Sequence, residues 1–474
     1  MLSVAAIVWI CIAVCVALLI VVIAIRSRNV DWVDGSSINY ITSPRFRPTA
    51  VVYCLLHFKD KMNPDTFKEW YTNTFLQQPA FTNRFVIRRF LWSYFEKDPD
   101  FKLEDHLFIR DEPITLEEFR VFSEKRINVE LDIHHAMWEI FLFTNVVGAE
   151  DCKSALLLRY HHSLLDGINI MRILLQSTNY NGSDIRPRPP KSFRMNPFVF
   201  AGSCIKWTFK TIFSPHDKGN PLVSAPSLDA MTPRHIMFRT MDASVKDVKK
   251  LKAKGFSVND VLISCLAGAF GRFATKEYSE LVTKTVHGFL WGTMTPVTDA
   301  FKPIAAGEKV IGNRNLTLCI MKMAMNIQDP VERLHVVGEE IHRHFATAEF
   351  FVMNKLMNFM GSLPRFIADP IYIDFTKAAS ISLSTLPGPK EQLVMNGNPI
   401  NQIVFSVPPT IDLHAFCTLL SYHDRVTVTL TVDANLFSEA QCNAMLEAFN
   451  EDLNAIVASV RESTFCLCFP SGES

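Results

Sequence analysis

The sequence predicts an α/β protein whose two domains face one another, and three observations lead to this expectation. The chain has 474 residues and 48% hydrophobic content, so it is long enough and apolar enough for two domains. Between Asn181 and Met231, Pro- and Gly-containing runs interrupt any regular periodicity, which is typical of a linker. Strand-like and helical patterns occur on both sides of this break, so each half is expected to combine strands with helices.

In the first half, short apolar or β-branched runs at 50–55 and 154–160 predict strands, and the pattern at 64–75 predicts a helix. A second amphipathic helix is expected to begin at 168–175. The seven residues 161–167 therefore form the loop that connects a strand to a helix. Loops at strand ends are where polar side chains reach clefts.

In the second half, apolar periodicity predicts a helix at 258–275 and a closing helix at 438–460. Strands are expected at 316–325, 403–407 and 426–432. No internal repeat of fixed period is visible. The order of these elements favours a second α/β domain over a helical repeat.

Residues 1–25 contain no charged side chain and are followed by Arg26 and Arg28. A helix of about 20 apolar residues spans a bilayer, so this segment predicts a transmembrane anchor. A cleaved signal peptide is the alternative, although Lys and Arg are absent before the apolar run. The positive-inside rule then predicts a single-pass membrane protein with a cytosolic body. The endoplasmic reticulum is the expected membrane, with the plasma membrane as the alternative.

Two further segments are candidates for contact with a lipid bilayer. Residues 197–212, inside the linker 185–230, are aromatic-rich with interleaved lysines, and residues 350–363 repeat Phe and Met at helical spacing. An amphipathic helix facing the protein core is the other interpretation. The core-facing interpretation is preferred for 350–363, and both interpretations stay open for 197–212.

Charge and cysteine content exclude several classes of protein. Lys plus Arg and Asp plus Glu are 48 each, so nucleic acid is not an expected partner. Eleven cysteines are scattered without metal-type spacing, so no metal site and no bound cofactor are expected, and most thiols should be buried and reduced. Residues 463–474 form a tail in which Cys466 and Cys468 could be acylated, or which could simply be hydrophobic.

The loop at 161–167 reads His161-His162-Ser163-Leu164-Leu165-Asp166-Gly167. An imidazole here can accept a proton from an alcohol that attacks a thioester carbonyl, because its pKa lies near working pH. Asp166 could orient the loop or cap the following helix, and Gly167 would permit a tight turn. The alternative is a pair of polar loop histidines with an ordinary helix cap, and the spacing by itself does not separate these interpretations.

Other segments of the chain separate the catalytic interpretation of this loop from the structural one. Four further segments lie along the chain, one before the loop and three after it: Ala136-Met137-Trp138-Glu139, Ser257-Val258-Asn259-Asp260-Val261-Leu262, Gly312-Asn313 and Leu386-Pro387-Gly388-Pro389. Together with His-His-x-x-x-Asp-Gly they resemble the wax ester synthase/diacylglycerol acyltransferase family, within the superfamily of CoA-dependent acyltransferases. The resemblance runs from about residue 39 to about residue 460. Two departures are Thr385, where the family has Asn, and Asp299-Ala300, where an Arg is missing.

The resemblance implies two acyltransferase domains, 39–184 and 231–462, with a substrate tunnel at their interface. It implies an acyl-CoA-dependent O-acyltransferase that esterifies a long-chain fatty alcohol, diacylglycerol, or both. His162 would be the general base of a direct transfer within a ternary complex, because a thioester needs no covalent acyl-enzyme. Acyl-CoA would be a co-substrate. Two alternatives stay open: a non-catalytic, membrane-tethered protein that binds acyl-CoA or lipid, and an acyltransferase for a different alcohol.

Other site residues are expected from the same motifs. Asn259 is a candidate oxyanion donor because an amide supplies an N–H without charge, although a helix cap formed with Asp260 is an equally good interpretation. His161, Asp260, Pro387 and Gly388 are further candidates for substrate binding.

Two other histidine pairs are not expected to be catalytic. His134 and His135 are followed by Trp-Glu in place of Asp-Gly, which indicates a structural pair. His342 and His344 lie on a charged helical segment, where a solvated face is expected.

Overall fold

The structure is a computed structural model that describes residues 31–466, with the exception of 42–49, 88–92, 183–195, 214–216, 218–234, 253–254, 278–284, 306, 410–412 and 414. The predicted anchor 1–25, most of the linker 185–230 and the tail from 467 lie outside the described residues. The remaining chain forms alternating strands and helices, as the sequence predicts.

The described strands follow one another in this order: β1 (Asp31–Trp32), β2 (Val51–Phe58), β3 (Asn83–Val86), β4 (Tyr94–Lys97), β5 (Leu107–Arg110), β6 (Trp138–Phe143), β7 (Ser154–His161), β8 (Ile236–Ser244), β9 (Val286–Thr293), β10 (Leu316–Met323), β11 (Ile381–Pro387), β12 (Val394–Met395), β13 (Asn398–Ser406), β14 (Ala415–Tyr422) and β15 (Arg425–Asp433). The described helices are α1 (Gly35–Ile41), α2 (Pro64–Asn73), α3 (Leu116–Ile127), α4 (Gly167–Gln176), α5 (Pro197–Ile212), α6 (Val245–Lys252), α7 (Val258–Glu277), α8 (Pro330–Phe345), α9 (Glu349–Ser362), α10 (Arg365–Thr376) and α11 (Glu439–Cys466). All nine elements expected from sequence periodicity are present, and their ends differ by a few residues.

Two six-stranded sheets organise the two halves of the chain. The first has the strand order β12-β13-β2-β7-β6-β5, and the second has the order β10-β9-β11-β14-β15-β8. Most neighbours are antiparallel, whereas β5 with β6, and β11 with both β9 and β14, are parallel. A small third sheet joins β1, β4 and β3. The two-domain α/β expectation is confirmed.

The strand before the histidine loop is buried on both faces. Leu156 and Leu158 of β7 belong to one hydrophobic cluster, and Ala155 and Leu157 belong to another. Successive side chains of a strand point to opposite faces, so a strand with both faces covered is an almost continuous apolar run. The sequence SALLLRYH has this character, and it places the end of β7, at His161, inside the molecule.

The second half of the chain contributes one strand to the sheet of the first half. β13 comes from the second half of the chain but pairs with β2 of the first sheet, for example Phe405 with Cys54. β13 therefore falls within the predicted second domain, 231–462, in the sequence but belongs to the first sheet in the structure. The Tyr53 hydroxyl of β2 and the Ser406 hydroxyl of β13 each lie 2.7 Å from the Thr431 hydroxyl of β15, so buried hydrogen bonds join the two sheets.

No helix in the described part of the chain is both long enough and apolar enough to cross a membrane. This finding contradicts the single-pass membrane localisation predicted from the sequence, because that prediction required a membrane-spanning helix. The segment on which it depended, residues 1–25, lies outside the described residues.

The two candidate lipid-facing segments differ in the structure. α9 buries Val352, Met353 and Met357, which agrees with the preferred core-facing interpretation. In α5 only Trp207 is buried, and the helix presents large apolar side chains to the surface.

Candidate functional site

The loop between β7 and α4 is shaped by a helix cap. Asp166 is the N-cap residue of α4, and its Oδ1 accepts a hydrogen bond of 2.7 Å from the Asn169 backbone N–H. A capping side chain satisfies a backbone donor that has no partner within the helix. Burial raises the pKa of the Asp166 carboxyl to about 6, although the Asn169 N–H opposes this shift. Of the two roles that the sequence left open, the structure shows the cap.

His162 lies half-buried at the start of this loop, and its main chain is held by two other segments. Its backbone N–H donates to the Ala50 carbonyl oxygen at 2.6 Å, and its carbonyl oxygen accepts from the Asn313 side-chain amide at 2.5 Å. Desolvation lowers the pKa of the imidazole to about 4, and its own carbonyl oxygen offsets part of this lowering. The imidazole is therefore neutral at physiological pH.

The two ring nitrogens of His162 differ in environment. Nδ1 is buried and has no hydrogen-bond partner among the described residues. Nε2 is the nitrogen that remains for contact with a substrate. A neutral imidazole with an accessible nitrogen is able to accept a proton.

His161 lies on the other side of the main chain and is engaged in local structure. Its side chain is buried, and its Nδ1 is 2.8 Å from the Ser163 hydroxyl and accepts from the Ser163 backbone N–H at 3.2 Å. These contacts stabilise the turn after β7. The proposed substrate contact of His161 stays a prediction.

The segment Gly312-Asn313 comes from the second half of the chain and braces the histidine loop. The Gly312 N–H donates to the Leu164 carbonyl oxygen at 2.6 Å, and the Gly312 carbonyl oxygen accepts from the Asn169 side chain at 3.1 Å. Gly312 has φ +85° and lies against the Asp34 carboxylate, so a side chain here would be both strained and obstructed. The family motif Gly-Asn thus has a structural reason in this chain.

An aromatic ring covers the His162 imidazole. Tyr40 of α1 stacks on it, with a centroid distance of 4.5 Å and an interplanar angle of 8°. Tyr40 is 4% exposed, and burial raises the pKa of its phenol well above the ordinary value. The phenol is therefore neutral. Sequence reasoning missed Tyr40 because it lies more than a hundred residues before the motif, in a short helix without a recognisable signature.

The turn after β11 lies close to the start of α4. The Leu386 side chain is in van der Waals range of the position that a Gly167 side chain would occupy. Gly388 donates to the Ser421 carbonyl oxygen at 2.8 Å, which joins the turn to β14. Gly167 does not have a left-handed φ, so positive φ is not what places glycine here, and its role in the turn stays a prediction. Substrate contacts of Pro387 and Gly388 stay predictions.

Asp260 and Asn259 lie in the first turn of α7. The Asp260 carboxylate accepts from the Ser257 backbone N–H at 2.7 Å, and the Ser257 hydroxyl accepts from the Asp260 N–H at 3.1 Å. This reciprocal pair is a capping box. The Asp260 carboxylate also lies 3.8 Å from His342 of α8. The cap is therefore formed by Ser257 with Asp260 and not by Asn259 with Asp260, and the oxyanion role of Asn259 stays a prediction.

Three histidines of the two other pairs lie near carboxylates. His135 Nδ1 lies 3.2 Å from the Asp98 carboxylate, which agrees with a structural role. His344 is buried between Glu340 and Glu349, so the expectation of a solvated face was wrong at this position. His342 is exposed, as expected.

The fold and the braced histidine loop define the class of this protein. Two α/β domains share a strand, and the His-His-x-x-x-Asp-Gly loop is held between them, which is the arrangement of the CoA-dependent acyltransferase and condensation-domain fold. A profile of the "Wax ester synthase/diacylglycerol acyltransferase catalytic domain" matches residues 66–198, and a profile of the "WS/DGAT C-terminal domain" matches residues 311–457. Together they cover more than half of the chain.

The chain belongs to the wax ester synthase/diacylglycerol acyltransferase family and is an acyltransferase. It is 23% identical over 475 residues to wax ester synthase/diacylglycerol acyltransferase 1 of Arabidopsis thaliana, covering 90% of this chain and 95% of the relative.

Two solved structures show the fold. The wax ester synthase/diacylglycerol acyltransferase from Marinobacter aquaeolei VT8 superposes with a TM-score of 0.60 and 18% identity, covering 90% of this chain and 99% of that chain. The starter condensation domain of rhizomide synthetase, in complex with C8-CoA, superposes with a TM-score of 0.59 and 8% identity, covering 92% of this chain and 96% of that chain.

Proposed function

We propose that this acyltransferase moves a fatty acyl group from acyl-CoA to a long-chain alcohol, to diacylglycerol, or to both. His162 is the general base in a ternary complex. The observation that carries the proposal is the neutral imidazole, which is fixed through its main chain and has one ring nitrogen left for substrate. Family membership and a solved structural relative with bound C8-CoA support acyl-CoA as the donor.

The proposed reaction needs only one proton acceptor. The acceptor hydroxyl oxygen attacks the thioester carbonyl carbon, and its proton passes to Nε2 of His162. The C–O bond forms, the C–S bond breaks, and the departing CoA thiolate takes the proton from the imidazolium. Because the thioester is already activated, positioning both substrates beside one base supplies much of the rate.

A small apolar cavity lies in the first domain beside the histidine strand, and its volume of about 30 Å³ is room for a water-sized group and not for a long alkyl chain. Leu156 and Leu158 of β7 line it, together with Cys54 of β2 and Ile170 and Leu174 of α4. These β7 side chains share a face of the sheet with Tyr160, close to the end of the strand. This cavity by itself therefore does not provide the space that the alkyl chain of the proposed substrate requires.

Removal of the imidazole tests the mechanism. His162→Ala is expected to lower ester formation by about two to four orders of magnitude, since this is the usual range for a general base. The assay supplies labelled palmitoyl-CoA with competing fatty alcohol and diacylglycerol and separates the neutral lipids, so it also identifies the acceptor. His134→Ala, which removes an exposed histidine, is the control and should keep wild-type activity. Full activity in His162→Ala would exclude this base.

We further propose that the folded domains bind to a lipid surface, without a membrane-spanning helix in the described residues. α5 packs on α9, for example through Phe200 and Phe351 with ring centroids 5.4 Å apart. Large apolar side chains are exposed on α5, α9 and α10: Phe198, Val199, Ile205, Phe209, Ile212, Phe351, Phe359, Phe366, Ile367 and Ile371. We call these residues the apolar surface. α5 contains no Asp or Glu and exposes Lys206 and Lys210, which favours anionic lipid.

A further inference from the structure

His162 is held at three places by segments that lie far from it in the sequence. Its ring stacks on Tyr40, its N–H is bound by Ala50 and its carbonyl oxygen is bound by Asn313. Tyr40 precedes the histidine by more than a hundred residues, and Asn313 follows it by 151. Neither side chain belongs to the motif that identifies the histidine.

We propose that Tyr40 and Asn313 are positioning residues that hold His162 in one orientation, Tyr40 through the ring and Asn313 through the main chain. The proposal rests on the proposed function, since it assigns these residues to the same base. A side chain whose ring is stacked and whose main chain is fixed has little freedom to leave its rotamer. Misplacement of a reacting group by about 1 Å can cost about 100-fold in rate.

One carboxylate links the two positioning residues. Asp34 accepts from the Ser37 backbone N–H and the Ser37 hydroxyl, both at 2.8 Å, at the start of the helix that carries Tyr40. The same carboxylate accepts from the Asn313 backbone N–H at 2.9 Å. The Ser37 hydroxyl oxygen also accepts from this N–H at 3.0 Å. Tyr40 and Asn313 therefore share one anchor.

The Asn313 side chain makes one hydrogen bond among the described residues. Asn313 is fully buried, its Nδ2 donates to the His162 carbonyl oxygen, and its Oδ1 has no hydrogen-bond partner among the described residues. A buried acceptor without a donor costs about 1–3 kcal/mol, so the Oδ1 atom is a liability and the Nδ2 contact with His162 is the polar interaction that this side chain makes. This single contact assigns the side chain to the positioning of the His162 carbonyl oxygen.

The stack also keeps water away from the imidazole. Other titratable groups near the histidine are Asp166 at the start of α4, Asp34 before α1, Tyr160 of β7 and Tyr372 of α10, which faces Tyr40. Burial raises the pKa of all three buried groups: the phenols of Tyr160 and Tyr372 stay neutral, and the Asp166 carboxyl, with a pKa of about 6, is neutral only in acid. Loss of the Tyr40 ring should admit water and move the pKa of His162 up, toward its ordinary value of 6.5.

The experiment compares Tyr40→Phe, which keeps the ring, with Tyr40→Leu, which removes it. In the full-length enzyme, Tyr40→Leu should lower kcat about 10- to 100-fold with KM for palmitoyl-CoA within about twofold, whereas Tyr40→Phe should stay within about threefold of wild type. The acid limb of the kcat profile should lie near pH 4 in wild type and Tyr40→Phe, and move toward pH 6 in Tyr40→Leu. Asn313→Asp, which faces one carbonyl oxygen with another oxygen, should also lower kcat and leave KM unchanged.

Two outcomes would overturn the proposal: unchanged kcat and acid limb in folded Tyr40→Leu, or equal losses in the Phe and Leu variants. If Tyr40→Leu does not fold, the wild-type protein still decides. With ¹³C-labelled histidine, the Cε1–H signal that disappears in His162→Ala should be shifted upfield by the stacked ring, and an unshifted signal would refute the stack. Full activity in His162→Ala would reject the proposed base, which is a separate result.

Discussion

The buried side chain of Asp166 stabilises the start of α4 but carries a desolvation penalty. It caps α4 through the Asn169 N–H, and this contact orients the loop that carries His162. The same burial raises the pKa of the Asp166 carboxyl from 3.8 to about 6. The carboxylate is therefore ionised at neutral pH only at the cost of its burial, and a neutral cap would avoid this desolvation penalty.

Asp166→Asn tests this balance, because Asn caps helices as well as Asp does. The folded-state pKa of Asp166 lies above the unfolded value, so the contribution of this carboxyl to stability is fully present below about pH 4 and is lost as pH rises through about 6. Asp166→Asn should gain in unfolding free energy relative to wild type between pH 4 and pH 7, by up to about 3 kcal/mol. Chemical denaturation at several pH values measures this difference.

Asp166→Ala is the matched control, since it removes the carboxyl and the cap together. It should lose about 1 kcal/mol relative to Asp166→Asn at every pH. A difference between Asp166→Asn and wild type that does not vary with pH would contradict the raised pKa.

At the scale of elements, α1 and α9 cross through glycine. A Cβ atom added at Gly35 would overlap the Asn358 carbonyl group, and a Cβ atom added at Gly361 would overlap the backbone of Gly35. The Asn39 side-chain amide of α1 also donates to the Met357 carbonyl oxygen at 3.2 Å. Because α1 carries Tyr40, this close crossing determines where the ring lies against His162.

Gly361→Ala is expected to push α1 away from α9 and to displace Tyr40. We expect a loss of about 1–3 kcal/mol in unfolding free energy, which is typical of overpacking, together with a lower kcat. Gly202→Ala is the matched control on α5, since nothing lies within 4 Å of its added methyl group. Thermal unfolding and the ester assay measure both effects. Equal behaviour of the two variants would show that the crossing does not hold α1.

At the scale of the whole molecule, two features arise from distant parts of the chain. β13 completes the first sheet although it belongs to the second half of the sequence, and hydrogen bonds through Thr431 join the two sheets. The apolar surface forms because α5, α9 and α10 pack beside one another. Exposed patches of this kind usually mark a binding surface.

Hydrogen exchange in the full-length protein tests the apolar surface. Addition of vesicles containing phosphatidylserine should slow amide exchange in α5 and α10, and phosphatidylcholine vesicles should have a weaker effect because α5 is positively charged. α3, which exposes no large apolar side chain, is the internal reference.

Variants locate the contact within this surface. Phe209→Ser with Phe366→Ser should abolish the protection, and Val147→Ser, which removes an exposed apolar side chain elsewhere, should leave it unchanged. Unchanged exchange in α5 and α10 after addition of either vesicle would reject a lipid surface as the partner.

Much of the fold follows from local patterns. Alternation and apolar runs predict β7, and the helix after it begins at the capping Asp166, because these elements depend on neighbouring residues. The same local chemistry predicts the loop that places His162 at the end of a strand. Elements such as α10, which carries an internal Pro370, have no clear local signal and were not predicted.

The sequence by itself determined the two α/β halves, the family and the histidine loop, since periodicity, capping and short motifs act over a few residues. Only the tertiary structure decided that Tyr40 stacks on His162, that Asn313 holds its carbonyl oxygen and that β13 changes sheets. Contacts between segments more than a hundred residues apart depend on how whole elements pack. Local patterns do not record these contacts: Gly312-Asn313 is recognisable as a motif in the sequence, but its contact with His162 arises only when the chain has folded.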